Sequence, residues 1–177
     1  MQCACQFLAK AEGERAVRTR LDKLDIRLLD CLQENNLQTA DQLAEQVGRS
    51  PSAVARRLRR LRATGAVAAD VSLVSEEAAG HPLLAIVHVQ LERHASRDYA
   101  VLRRQLVASR NVQLCFEITG SFDLMLLIAA PDMDAFDSFT QAKLMEHPAV
   151  RRFESTLVKR RVKASLAFPL APLAQGG

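Results

Sequence analysis

The sequence has no tryptophan, and its aromatic residues make up only 5% of the chain. Proteins that hold single-stranded nucleic acids stack bases on aromatic side chains, so this scarcity argues against that class of binder. The cysteines form no C-x-x-C pair and have no histidine at ligand spacing; they are Cys3, Cys5, Cys31 and Cys115. We therefore predict no metal site, no cofactor and no disulfide framework.

Long apolar runs are also missing. No stretch approaches the ~18 apolar residues that span a bilayer, and the first residues lack the apolar segment of a signal peptide. We expect a cytoplasmic protein with reduced thiols and no membrane partner. The 177 residues, 49% of them apolar, suffice for one mid-sized or two small soluble domains. Residues 1–20 are predicted to be a mobile basic tail or an over-long start, and residues 171–177 a C-terminal tail.

Acidic residues are absent from residues 47–68, where six arginines occur. The whole chain has 24 basic and 20 acidic residues, a net charge of +4, so everything outside this stretch has a net charge of −2. A basic charge focused in one segment is what binding to phosphates requires. Because aromatic residues for base stacking are scarce, we expect double-stranded DNA as the partner.

Three amphipathic helices are predicted in residues 21–67. The first carries an apolar stripe, with Asp22 and Asp25 at the end where the helix dipole favours negative charge. The second begins at a capping box formed by Thr39 and Gln42. It ends at a glycine, and the dipeptide Ser50-Pro51 then starts the third helix almost at once.

The tight turn between the second and third helices predicts a helix-turn-helix, whose second helix enters the major groove. Val54, Leu58 and Leu61 recur at helical spacing and should face inward. Exposed arginines are usually only solvated charges, but these have no acidic partner at i±4. The predicted DNA-binding residues lie on the turn and the outer face: Arg49, Ser50, Ser52, Ala53, Arg56, Arg57 and Arg60. The N-terminal members should lie deepest in the groove, with Arg49 and Arg60 nearer to phosphates.

The third helix should stop at Thr64-Gly65, and residues 66–74 look like an extended wing or hinge strand. We assign residues 68–80 to a hinge or linker strand. In residues 81–170, after the hinge, segments whose apolar residues alternate with a period of two, as in strands, are interspersed with segments of helical period. Their order along the chain is βαββαβ. This order predicts a ferredoxin-like α+β domain with both helices on one face of an antiparallel sheet.

Boundaries within this second domain follow from the alternation and from turn residues. Strands are predicted at 83–91, 112–119, 124–130 and 153–162, with helices from Ser96 and from Pro131-Asp132. The uncovered sheet face would contain Leu84, Ile86 and Leu127, which is too apolar for water. We therefore expect a homodimer that packs sheet on sheet.

The combination of these motifs resembles the Lrp/AsnC family of transcription regulators, the feast/famine regulators. The resemblance rests on LDKLDIRLLDCLQEN, LAEQVGRSPSAVARRLRRLRATGAV and GSFDLMLLIAAPDMDAF, within residues 21–169. It implies a winged helix-turn-helix followed by an effector and oligomerisation domain. It also implies a sequence-specific regulator, modulated by a small effector such as an amino acid, whose dimers assemble into larger rings such as octamers.

The family's ligand loop, a G-D-[YF]-D turn, falls on residues 120–123, directly after Thr119. The resemblance thus makes this loop the effector site: Thr119, Gly120, Ser121, Phe122 and Asp123. From the residues alone, Asp123 could accept from a ligand ammonium or could simply cap a hairpin turn. The sequence departs from the family pattern at Ser121, where the family has an acid, and in the hinge, which lacks the usual Gly-Tyr and Asn-Pro.

Two alternatives to a specific regulator remain open from the sequence. Haem-precursor decarboxylases are similar to this family, and the chemistry would then fall to histidines and arginines: His88, His94 and His147 with Arg93 or Arg97. No two of these histidines share a motif, so we predict that the chain is not an enzyme and has no catalytic residues. The arginine density also permits a DNA-architectural protein of low sequence specificity.

Overall fold

The computed structural model describes residues 21–92 and 96–170, so the predicted tails at 1–20 and 171–177 lie outside the described residues. The chain divides into two compact units. The first contains the residues up to 72 and those from 164 onward, and the second contains residues 73–163. Residues 164–170, which the sequence assigned to the second domain, are thus grouped with the first unit. None of the described helices combines the length and apolar character needed to cross a bilayer.

The first unit is built from the three predicted helices: α1 (Lys23–Glu34), α2 (Ala40–Val47) and α3 (Pro51–Ala63). Apolar residues from all three helices form one buried core: Leu28, Leu29, Leu43, Ala44, Val47, Val54, Leu58 and Leu61. Side-chain caps fix two of the helix starts. Asp22 and Thr39 accept from the backbone of the third helical residue, and the side chain of that residue accepts from the cap in return.

The expected strand at 66–74 is wrong. Residues 68–75 are in neither helix nor strand, and a short helix, α4 (Glu76–Ala79), follows them. A strand needs a hydrogen-bonded neighbour, and no other described segment of the chain pairs with these residues. The apolar side chains of Leu73 and Val74 are correspondingly exposed.

The second unit is a four-stranded sheet with helices between its strands. Its elements are β1 (Leu83–Leu91), α5 (Ser96–Ala108), β2 (Val112–Glu117), β3 (Leu124–Ala130), α6 (Met133–Thr140) and β4 (Val150–Leu157). All neighbouring strands are antiparallel, in the order β2-β3-β1-β4, which confirms the ferredoxin-like prediction. Asp132 caps α6 by accepting from the backbone of Ala135 at 2.8 Å, and a π-helical turn, Gln141–Met145, extends this helix.

One face of the sheet forms the core of this unit. Its strand residues pack with α5 and α6 in a single buried cluster: Ala85, Val87, Val89, Leu102, Leu106, Val112, Leu124, Leu126, Ile128, Ala130, Phe136, Leu144 and Ala149. The opposite face, which we call the open face, contains the remaining residues of each strand. There Ile86 pairs directly with Leu127, as the alternation predicts, and both side chains are half-buried.

Several features of the strands differ from the prediction. The pairing of β2 with β3 shifts between Val112 and Leu114, a bulge that places Cys115 on the core face and Leu114 on the open face. The strict alternation expected for this strand is therefore broken. β2 also ends at Glu117 rather than at residue 119. β4 begins at Val150 rather than at residue 153 and ends at Leu157 rather than at residue 162.

The early end of β4 has a simple cause. Its last hydrogen bond to β1 runs from the backbone N–H of Val158 to the carbonyl of Leu84 at 2.8 Å. The partner strand begins at Leu83, and Pro82 before it has no N–H to donate. Residues after Val158 consequently leave the sheet.

Candidate nucleic-acid interface and effector loop

The turn that leads into α3 has the predicted geometry. Gly48 adopts φ 65°, the left-handed conformation that glycine tolerates best, and the backbone N–H of Arg49 donates to the carbonyl of Ala44 at 3.0 Å. Pro51 occupies the first position of α3. Ser50 is the N-cap residue, but its side chain makes no cap hydrogen bond. Its hydroxyl instead lies 3.4 Å from that of Ser52, on the exposed side of the helix start.

Burial of one face of α3 decides which side chains can reach a partner. Val54, Leu58 and Leu61 are buried in the core of the first unit, as predicted. The other face exposes Ser52 and Arg56, with the arginines at 59, 60 and 62 further along. The candidates Arg49 and Ser50 are exposed at the turn, and Ala53 is half-buried. The structure therefore brings the N-terminal candidates together on one exposed surface.

Arg57 and Arg60 are not solvated charges, because they form ion pairs with α1. The Nη1 atom of Arg57 lies 2.6 Å from Oδ2 of Asp22 and 2.9 Å from Oδ1 of Asp25. Arg60 donates to the other carboxylate oxygen of Asp25. The Asp25 side chain has no solvent exposure, whereas 28% of the Arg57 side chain and 46% of the Arg60 side chain remain exposed. We call these four residues the α1–α3 ion-pair network.

Two members of the network, Asp22 and Arg57, have shifted pKa values. Burial alone would raise the pKa of Asp22, but the hydrogen bonds from the backbone of Asp25 and from Arg57 outweigh it, so this pKa is lowered. The hydrogen bonds to Asp22 and then to Asp25 raise the pKa of Arg57. Arg62 has a separate partner in the linker, because its Nε atom lies 2.9 Å from Oδ2 of Asp70.

Sequence reasoning missed this network because it looked for acidic partners only along α3. A signal was present: Asp25 stands three and four residues before Leu28 and Leu29, so it falls on the buried stripe of α1. Arg57 likewise falls between Val54 and Leu61 on the stripe of α3. A charged side chain at a buried position needs a partner of opposite charge. An acidic residue and an arginine on the buried stripes of two packed helices therefore predict an ion pair between them.

The predicted effector loop joins β2 to β3. Gly120 adopts φ 130°, which side chains rarely tolerate, and no described atom lies within 4 Å of where its Cβ would be. Asp123 fastens the loop to β1, since its Oδ2 accepts from the backbone N–H of Leu91 at 2.7 Å. Its backbone N–H also donates to the carbonyl of Val89 at 2.9 Å. The carboxylate of Asp123 thus has a structural role.

A polar and aromatic group lies beside this loop on the open face. The ring of Phe122 lies 5.4 Å from that of His88, and the guanidinium of Arg152 lies 5.1 Å from the centre of the Phe122 ring. Arg152 also donates to Gln90 at 2.9 Å and to Glu154 at 3.1 Å. We call these residues the Phe122 cluster. Apart from Phe122 itself, sequence reasoning did not place them at the loop, although His88 and Gln90 share one face of β1.

Among the described residues, those considered for catalysis lie in different elements of the second unit. His88 belongs to the Phe122 cluster, whereas His147 lies in the turn before β4, where its Nδ1 atom accepts from the backbone of Ala149 at 3.2 Å. Arg97 is exposed on α5. Arg93 and His94 lie outside the described residues. Both described histidines therefore have local structural contacts.

Comparisons with known proteins match both units. Residues 21–67 match the family described as winged helix-turn-helix DNA-binding, and residues 84–168 match the Lrp/AsnC ligand binding domain. The sequence is 39% identical to the uncharacterized HTH-type transcriptional regulator y4tD of Sinorhizobium fredii, over 85% of this chain and 89% of that protein. It is 28% identical to the leucine-responsive regulatory protein of Escherichia coli, over 82% of this chain and 88% of that protein.

Solved structures show the same arrangement of elements. The transcriptional regulator NMB0573 of Neisseria meningitidis, in complex with L-methionine, matches with a TM-score of 0.78 and 34% identity, over 84% of this chain and 96% of that chain. The feast or famine regulatory protein Rv3291c of M. tuberculosis, also complexed with L-methionine, matches with a TM-score of 0.74 and 27% identity, over 84% and 98%.

Proposed function

Since the chain belongs to the Lrp/AsnC family of transcriptional regulators, we propose that it binds specific sequences of double-stranded DNA and that an amino acid modulates this binding. The DNA part depends mainly on one observation: α3 exposes Ser52 and Arg56 near its N-terminus while its other face is buried. Members of this family are regulators rather than enzymes, and the matched relatives give the decarboxylase alternative no support.

The ion pairs of α3 divide its candidate residues into two groups. We assign DNA contact to the residues that are exposed or half-exposed near the helix start: Arg49, Ser50, Ser52, Ala53 and Arg56. The guanidinium of Arg57 forms ion pairs with Asp22 and Asp25. We therefore propose that Arg57 holds α3 in place rather than contacting a base. Arg60 is 46% exposed and could still touch a phosphate from the edge of the network.

Replacing Arg56 by alanine tests the DNA assignment. A side chain that contacts a base is worth about 1–3 kcal/mol of discrimination, so we expect specific binding to weaken by roughly 5- to 150-fold while stability is unchanged. Binding would be measured by fluorescence anisotropy on promoter and random duplexes. Arg97→Ala, which removes an equally exposed arginine from α5, is the matched control. Equal binding of both duplexes by the unaltered protein would instead favour the architectural alternative.

The effector proposal rests on the loop from Thr119 to Asp123 and on its neighbours. The space above Gly120 lets a ligand approach the backbone, and Phe122 offers an apolar ring held by His88 and Arg152. Two similar proteins were solved with L-methionine, which has an apolar side chain and a carboxylate. We propose that an amino acid of this kind binds here and shifts the population of states that bind DNA. With Ser121 in place of an acid, its ammonium needs another acceptor.

Thermal unfolding with a panel of amino acids tests this site. A ligand at 100 times its Kd stabilises the native state by about 2.7 kcal/mol, so at least one amino acid should raise the Tm. Phe122→Ala should abolish that rise, whereas Met133→Ala, an exposed apolar position on α6, should not. If no amino acid raises the Tm or alters DNA binding, the effector proposal is refuted.

We also propose a homodimer that forms through the open face and assembles into higher oligomers such as octamers. Ile86 and Leu127 are paired on this face, and Phe116 is 47% exposed. Apolar side chains on one sheet face are stabilised by packing against a second copy. A dimer would present two copies of α3 to successive turns of one duplex. We propose the cytoplasm as the location, since the target is DNA.

A further inference from the structure

A second basic segment follows β4. Residues 159–163 have the sequence KRRVK, and no acidic residue occurs between 155 and 170. Four positive charges in five residues equal the net charge of the whole chain, +4. We call residues 159–163 the basic segment. Nothing in the proposed DNA-binding and effector sites accounts for it.

The residues of this segment are exposed on the surface. The segment begins just after the last hydrogen bond of β4, and all five residues are exposed. Within the described part of the chain, no carboxylate pairs with Lys159, Arg160 or Lys163. This differs from α3, where Arg57, Arg60 and Arg62 all have acidic partners. Three side chains of the basic segment thus have no acidic partner, whereas three arginines of α3 are paired with carboxylates.

The chain that follows the basic segment is anchored on the helix-turn-helix unit. The side-chain amide of Gln33 on α1 donates to the carbonyl of Phe168 at 3.0 Å and accepts from the N–H of Phe168 at 2.8 Å. Leu170 packs against the core of the three helices. Phe168 is five positions after Lys163, and an extended chain of that length spans at most about 18 Å. Lys163 is thus tethered within that reach of α1.

We propose that the basic segment is a second contact to the DNA phosphate backbone, which adds sequence-independent affinity to the recognition by α3. Closely spaced lysine and arginine side chains on an exposed segment outside helix and strand suit phosphates, which both residue types bind. The short connection to Phe168, which is hydrogen-bonded to α1, limits how far Lys163 can lie from the unit that contains α3. The inference rests on the proposed DNA binding, and an acidic protein surface is the competing partner.

A charge-removal variant of the full chain tests the proposal. In the triple variant Lys159→Ala, Arg160→Ala and Lys163→Ala, three phosphate contacts are lost, and each contributes ~0.9 to the slope of log K against log salt concentration. We expect the slope to fall by about 2 to 3 per bound protomer. We also expect affinity at physiological salt to fall on the order of 10- to 100-fold, equally for promoter and random DNA. Circular dichroism should show unchanged folding, since the residues are exposed.

The matched control removes three exposed arginines of the second unit: Arg97, Arg104 and Arg110. It changes net charge by the same amount and should keep the slope of the unaltered protein. An unchanged slope in the triple variant overturns the proposal, and so does an equal loss in both variants, which would show an effect of net charge alone. If the unaltered protein binds DNA and only Arg56→Ala weakens it, the proposed function stands and this inference fails. If the unaltered protein shows no salt-sensitive DNA binding, both fail.

Discussion

The replacement of Asp25 by asparagine tests whether the α1–α3 ion-pair network stabilises the first unit. Asp25 has no solvent exposure and receives both Arg57 and Arg60. Removing one partner of a buried ion pair costs about 3–5 kcal/mol, because the remaining charge stays buried and unpaired. Here the arginines are 28% and 46% exposed and can regain water, so we expect the lower limit. Asparagine also keeps an acceptor for the backbone N–H of Asp22, now 3.0 Å from Oδ2 of Asp25.

A cost of about 3 kcal/mol corresponds to a decrease in Tm of roughly 12–24 °C for a unit of this size. Thermal and urea unfolding of the full chain, followed by far-ultraviolet circular dichroism, would measure it. Asp30→Asn is the control, because Asp30 is exposed on the same helix. A double-mutant cycle with Arg57→Gln should give a coupling energy of 0.5–3 kcal/mol. A Tm for Asp25→Asn like that of Asp30→Asn, or no coupling, would refute a structural role for the network.

Two further predictions follow from the ion pairs and from the open face. Because the pKa of Asp22 is lowered in the folded state, its stabilisation is complete at pH values above its unfolded pKa and is lost as the pH falls through the folded pKa. Asp22→Asn should therefore reduce the pH dependence of stability below about pH 4, and an unchanged acid unfolding curve would contradict this. On the open face, Leu127→Glu should dissociate the dimer, as measured by analytical ultracentrifugation. Val101→Glu on α5 should not, and a dimer that survives Leu127→Glu would exclude this interface.

Local signals predicted most of the element boundaries. The cap residues Thr39, Gly48 and Pro51 define where helices begin and end through their own backbone chemistry, and the structure agrees with each of them. Strands β1 and β3 also have the predicted bounds, because their alternation between core and open face is strict. These predictions succeeded because the determinants lie within a few residues of the feature.

Predictions failed where the determinant was a distant partner. β4 ends where Pro82 stops β1, a residue far away in sequence, and its own alternation gives no sign of this. The expected hinge strand has no neighbour to pair with among the described residues. The ion pairs of Arg57 were not predicted, because its partners Asp22 and Asp25 are more than thirty residues away in sequence. In each case the local residue pattern agreed with the prediction. The structure was determined instead by whether a segment distant in sequence makes a contact there.

The ion pairs change what the arginine count of α3 means for DNA binding. The five arginines of α3 and Arg49 in the turn before it, at ~0.9 each, would give a salt slope of about 5 per protomer. Three of them already have carboxylate partners, which leaves those without one in the described chain: Arg49, Arg56 and Arg59. The slope expected from these three arginines is then about 3, and Lys159, Arg160 and Lys163 of the basic segment supply three more unpaired cations. Removing the basic segment should therefore halve the salt dependence of DNA binding, a result that a count of charges on α3 alone would not give.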